Sequence, residues 1–141
     1  MRIVYRINLS VVWIAILLLV VGCGKKETSK GKVFFSEPKD GAEINGPVKV
    51  VMVVEGMKIK PAGEIVEGTG HHHLLINEDF TPAGQVIPTD DAHRHFGKGQ
   101  TEAVLDLPPG SYKLTLQFAD GLHRSYGKEL SATINIKVAS K

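Results

Sequence analysis

The clearest pattern along the chain is strict alternation. Tyr112, Leu114, Leu116 and Phe118 alternate with Lys113, Thr115 and Gln117, and Ala132, Ile134, Ile136 and Val138 alternate with Thr133, Asn135 and Lys137. Successive side chains of a strand point to opposite faces, so each run predicts a strand with one apolar face. Thr101 to Leu107 repeats the pattern, with Ala103, Leu105 and Leu107 facing in. Val33 to Ser36 starts a strand that the turn signal Pro38-Lys39-Asp40-Gly41 closes. Val48 to Val54 is apolar on both faces apart from Lys49, which predicts a central strand covered on each side. His72 to Ile76 predicts another strand, whose parity puts His72, Leu74 and Ile76 on one face and His71, His73 and Leu75 on the other. Leu122 to Tyr126 follows the hairpin signal Asp120-Gly121 and predicts a short strand. Residues 55–70 and 77–99 carry scattered Gly, Pro and Asp and hold no period. A connection as long as the second is usually functional or disordered. No stretch after residue 22 sustains a helical period. Short strands at close spacing predict an all-β domain over residues 33–141, an immunoglobulin-like antiparallel β-sandwich of about seven strands.

A different pattern opens the chain. Arg2 and Arg6 precede an uncharged apolar run, Val11 to Val21, which is too short for a spanning helix of about 20 residues and suits a secretory signal. It ends in Val20-Val21-Gly22-Cys23, which resembles the lipobox of bacterial lipoproteins. The resemblance implies a signal peptide over residues 1–22, cleavage before Cys23, and lipidation of Cys23. An uncleaved N-terminal anchor is the alternative, and either reading puts the domain outside the cytoplasm. Gly24 stands where an inner-membrane retention signal carries aspartate, so the resemblance implies an outer-membrane anchor facing the periplasm. Residues 23–32, with GKKETSKGK after the cysteine, form a solvated tether. Cys23 is the single cysteine, so no disulfide forms within the chain.

Charge narrows the partners. The chain has 17 basic and 15 acidic residues, and the signal removes Arg2 and Arg6, which leaves a balanced domain. Nucleic-acid binding needs a basic stripe, so no nucleic-acid partner is expected. The expected partners are the membrane, through the lipid, and an envelope protein.

The candidate chemistry lies in the histidines. All six fall between His71 and His123, five of them in the clusters His71-His72-His73 and His93-Arg94-His95. Imidazole is the commonest metal ligand. Residues i and i+2 of a strand point the same way, so His71 can join His73, His93 can join His95, and His123 can join both if the loops meet at one end of the sandwich. Such a set of imidazoles suits copper or zinc, with nickel a further candidate. Met57, in a loop, is a candidate soft ligand, whereas Met52 has core parity. The competing reading makes the histidines loop-holding groups bonded to backbone carbonyls and to Asp90 or Asp91. His72, on the Leu74 face, is read as structural. A pH response is a third reading, because protons and metal compete for the same nitrogens.

Enzyme signatures are weak. There is no Gly-x-Ser-x-Gly, and Gly97-Lys98-Gly99-Gln100-Thr101 lacks the leading glycine and the Ser or Thr of a phosphate loop. It is read as a turn. The blocks SEPKDGAEINGPVKVVMVVEGMKIKPAG, GTGHHHLLIN, IPTDDAHRHFGKGQTEAVLDLPPG and LTLQFADGLHRSYG, in that order, resemble a family of small secreted bacterial domains of unknown function. The resemblance covers roughly residues 33 to 138 and implies a single secreted domain, with no activity attached. The expectation is a non-catalytic, lipid-anchored periplasmic domain that binds a transition metal, copper first, through His71, His73, His93, His95 and His123. The alternative is an envelope structural or interaction module whose histidines stabilise loops.

Overall fold

The period-two runs become strands wherever one face can be buried. In the computed structural model, which describes residues 31–140, the strands are β1 (Lys32–Glu37), β2 (Ala42–Ile44), β3 (Val48–Glu55), β4 (Lys58–Ile59), β5 (Thr69–Ile76), β6 (His93–His95), β7 (Glu102–Leu105), β8 (Gly110–Ala119) and β9 (Ser131–Val138), with a single 3-10 turn at Lys128–Leu130. The signal segment 1–22, Cys23 and the tether up to residue 30 lie outside the described residues. The tether's last residue, Lys32, already belongs to β1.

The strands form two sheets. One has the order β1-β3-β7. The other runs β2-β9-β8-β5-β4, with β6 also paired to β5. The long pairings are antiparallel, as expected of a sandwich, but β2 joins β9 and β4 joins β5 in parallel. These two strands are three and two residues long, too short to show a period in the sequence. Between the sheets, Val48, Val50 and Met52 of β3 meet Leu114, Leu116 and Phe118 of β8 and Leu74 of β5 in one core cluster. Burying each large apolar side chain contributes about 1.5–3 kcal/mol.

Two expectations need correction. The strand β3 is central in its sheet, but only its inward face is fully buried. Val51 and Val53 are half-buried, because among the described residues no layer covers that side. Leu122 to Tyr126 does not form a strand. Only the isolated bridges Val86–Arg124 and Ala119–Ser125 form there, because the side chain of Asp120 bonds the turn's own amides instead.

The larger sheet is buried on both faces over β5 and β8. Residues 77–92 cross its outer face, and Ile87 packs there on Leu75 and Ala119. Thr115 and Gln117, polar by alternation, are fully buried beneath this cover. The Thr115 hydroxyl donates to the carbonyl of Glu78 at 2.8 Å. The Gln117 amide accepts from the Thr81 N–H at 3.2 Å and donates to the carbonyls of Gly127 and Leu130 at 3.0 and 3.1 Å. A covering loop brings backbone donors and acceptors that need partners once water is gone.

Gln117→Leu keeps the volume and leaves those groups bare. It is expected to lower stability by about 2–4 kcal/mol in urea unfolding. Lys137→Ala, which breaks only an exposed ion pair with Glu43, is expected to change it by less than about 1 kcal/mol.

Candidate metal centre

Strand parity starts the site. His71 and His73 leave the outward face of β5, and the cover makes both fully buried. The β5–β6 register places His95 opposite His73 and His93 opposite Leu75. The turn after β8 supplies the third segment. One carboxylate oxygen of Asp120, Oδ1, accepts from the amides of Leu122 and Arg124 at 2.9 and 3.0 Å, and Oδ2 accepts from Arg124 Nε at 2.8 Å. The turn holds His123 at φ 65°, in the left-handed region that non-glycine residues seldom occupy. Such strain costs on the order of 1–3 kcal/mol and is typical of functional sites. Gly121 lets the turn close against residue 64, since a Cβ there would lie 1.9 Å from the Glu64 carbonyl oxygen.

These placements gather four rings. His95 and His123 have centroids 4.7 Å apart, His71 and His73 4.9 Å, His73 and His95 5.0 Å, and His71 and His95 5.1 Å. His123 lies 5.2 Å from His71 and 5.8 Å from His73. The Nε2 atoms of His71 and His73 are 3.0 Å apart, and those of His95 and His123 3.1 Å apart. One ring nitrogen from each of His71, His95 and His123 falls within 4.8 Å of the others, so these three could hold a metal ion. Nitrogens around a tetrahedral ion with bonds near 2 Å stand about 3.3 Å apart. The site is not at an end of the sandwich, where the loops were expected to meet. It lies on the outer face of the larger sheet, where β5 points its odd-numbered histidines.

The cluster has an inner and an outer pair. His71 and His73 are sealed, His123 is half-buried and His95 is exposed. Burial, then the neighbouring rings, pushes His71 down to about 4 and His73 to about 2, and burial and His123 lower His95. The rings of His71, His73 and His95 are therefore neutral near pH 7 and offer lone pairs. Asp120 acts on His71 in the opposite sense, a negative potential that favours a cation. Nδ1 of His71 and Nδ1 of His73 have no hydrogen-bond partner among the described residues.

The remaining candidates lie elsewhere. His93 is not one of the four rings. Its Nδ1 is 2.7 Å from Asp90 Oδ1, the His–Asp pairing of the loop-holding reading. His72 faces the core edge-on to Phe118, with both nitrogens unpartnered and its proton affinity lowered by burial to about 4. Met52 is in the core, and Met57 packs against it beside Leu130, so neither joins the histidines. The sequence flagged Asp120 only as a hairpin residue. Its role in aiming His123 depends on side-chain bonds that the pattern does not encode.

The family described as "Domain of unknown function (DUF4399)" matches residues 50–139, a span that includes all six histidines. The chain belongs to this family. No curated protein matches it. Among solved structures, an endo-beta-1,4-mannanase from Thermotoga petrophila is similar at 19% identity with a TM-score of 0.47. That match covers 79% of this chain and 20% of the mannanase chain.

The lowered proton affinities set a pH dependence. The unfolded chain takes up protons at His71, His72 and His73 below about pH 6.5, while the folded chain refuses them down to about pH 4 at His71 and His72 and about 2 at His73. Stability is full above that window and falls as pH drops through it, by up to about 1.4 kcal/mol per pH unit for each histidine. Thermal melts of metal-free protein are expected to drop steadily between about pH 6.5 and 4. His72→Leu is expected to make that slope shallower, because it removes one of the three groups.

Proposed function

We propose that this chain is a lipid-anchored protein of the cell envelope that binds one transition metal ion without catalysis, copper in preference to zinc. The carrying observation is the convergence of four imidazoles from β5, β6 and the Asp120 turn, with every pair of ring centroids within 5.8 Å. His71, His95 and His123 are the proposed ligands, and His73 the fourth.

Four imidazole nitrogen donors suit borderline ions, and Cu(II) binds most tightly in the divalent series. The packing of Met57 away from the cluster removes the soft donor that Cu(I) prefers. An ion would also explain why buried imidazoles point their nitrogens at one another. Entry is through the exposed His95 side. The nearby carboxylates are committed, Asp120 to Arg124 and its turn and Asp90 to His93. That supports binding rather than chemistry, which would need a general base beside the ion. The lipobox-like segment ending at Cys23 supports attachment to the membrane, with the domain facing the periplasm.

Protein purified without a nickel column is expected to bind about one equivalent of Cu(II) with sub-micromolar affinity. His71→Ala, His95→Ala and His123→Ala are each expected to weaken binding at least about 100-fold, more than the loss of a supporting residue does. His93→Ala should leave it unchanged. Fewer than about 0.2 equivalents bound would return the cluster to a loop-holding role. Cys23→Ser is expected to move the protein from the membrane fraction to the soluble fraction of the envelope.

A further inference from the structure

Gly97 stands two residues after His95, beyond the end of β6, in a stretch the sequence reads as a turn. Its φ is not in the left-handed region occupied by Gly99 and Gly127, so its backbone does not call for glycine. Space does. A Cβ built at Gly97 would lie 2.2 Å from Cε1 and 2.3 Å from Nε2 of His95. Real Cβ atoms are essentially never found within 3.0 Å of a neighbour, so a side chain there would make the ring move. The missing side chain is therefore filled by the imidazole of His95, lying back over its own chain.

The surroundings of Gly97 are fixed by other bonds. The Gly97 carbonyl accepts from the Ala62 N–H at 2.8 Å, and the N–H of Phe96 donates to the His72 carbonyl at 3.1 Å. Phe96 itself is buried in the core. The backbone under the ring is thus held on both sides, and an added methyl group meets only one neighbour able to move, the exposed ring of His95.

We infer that Gly97 is the positioning residue of the site, a seat that holds the His95 imidazole with Nε2 3.1 Å from that of His123. Gly97 touches no ion. It acts by leaving open the space that the His95 ring occupies, which any side chain at residue 97 would take. The role rests on the proposed metal-binding function for its purpose, but the seat itself is a property of the metal-free protein.

The test is Gly97→Ala with two readouts. In metal-free protein, the ring resonances of His95 and His123 are expected to shift while those of His72 and His93 stay in place. In Cu(II) titration, affinity is expected to fall at least about tenfold with a changed visible or EPR spectrum, as for loss of a ligand's support. In a His95→Ala background, Gly97→Ala is expected to have no further effect on affinity, because the two changes act on one contact. Should Gly97→Ala fold poorly, the double variant Gly97→Ala with His95→Ala is expected to fold normally, since the obstructing ring is gone. Unmoved His95 resonances, or a double variant that still fails to fold, would overturn the inference. If the wild-type protein takes up no Cu(II), the metal-binding reading fails, and the ring resonances still decide whether the seat exists.

Discussion

The hydrogen bonds from Thr115 to the Glu78 carbonyl and from the Thr81 N–H to Gln117 are the constraint on which the second cover of the larger sheet depends. Without those partners, the stretch around Glu78 and Thr81 would lose its bonds to the sheet. Its amides and carbonyls would keep their water, and the outer face of β5 would be solvent-exposed. With them, the sheet is covered on a second side. Ile87 packs on Leu75, and His71 and His73 become interior residues. The loop also reaches the Asp120 turn, where Gly84 N–H donates to the Ser125 carbonyl and Ile87 N–H to the His123 carbonyl at 2.8 and 2.9 Å. The cover and the turn that bears His123 are therefore parts of one bonded unit.

Much of this was legible in the sequence. Alternation over residues 112–118 and 132–138 marked β8 and β9, and the parity of residues 71–76 correctly divided His71 and His73 from His72. The grouping of histidines on loop-rich stretches pointed to a cluster of rings. The rest depended on information that a period does not carry. Alternation labels Thr115 and Gln117 polar but cannot tell whether water or a loop will satisfy them. Spacing makes His93 and His95 equal candidates. Only the β5–β6 register and the nearby Asp90 separate them, sending one to a carboxylate and the other to the cluster. The location on a sheet face rather than at an end follows from the cover, which the sequence shows only as an unusually long connection.

Electrostatics and packing act together in the cluster. Imidazoles buried beside one another resist protonation, first because burial disfavours the charged form and then because each raises the cost of charging the next. The same arrangement concentrates neutral donors in a small volume, and the closest of them come to about 3 Å through Nε2. The domain accepts unpartnered nitrogens and a left-handed histidine in that small volume, while the core cluster between the sheets is apolar, with His72 beside Phe118. Local conflict inside a consistent fold is the usual signature of a place shaped for something other than stability.

The four rings are not held with equal stiffness. His71 and His73 belong to a strand flanked by β8 on one side and by β4 and β6 on the other. His95 sits on a three-residue strand, and His123 on a turn. Segments with fewer backbone bonds yield at lower energy. Two donors thus form a fixed jaw and two an adjustable one. Ions that differ in favoured geometry would be accommodated by travel of the adjustable jaw alone, with the framework of the sheet left undisturbed.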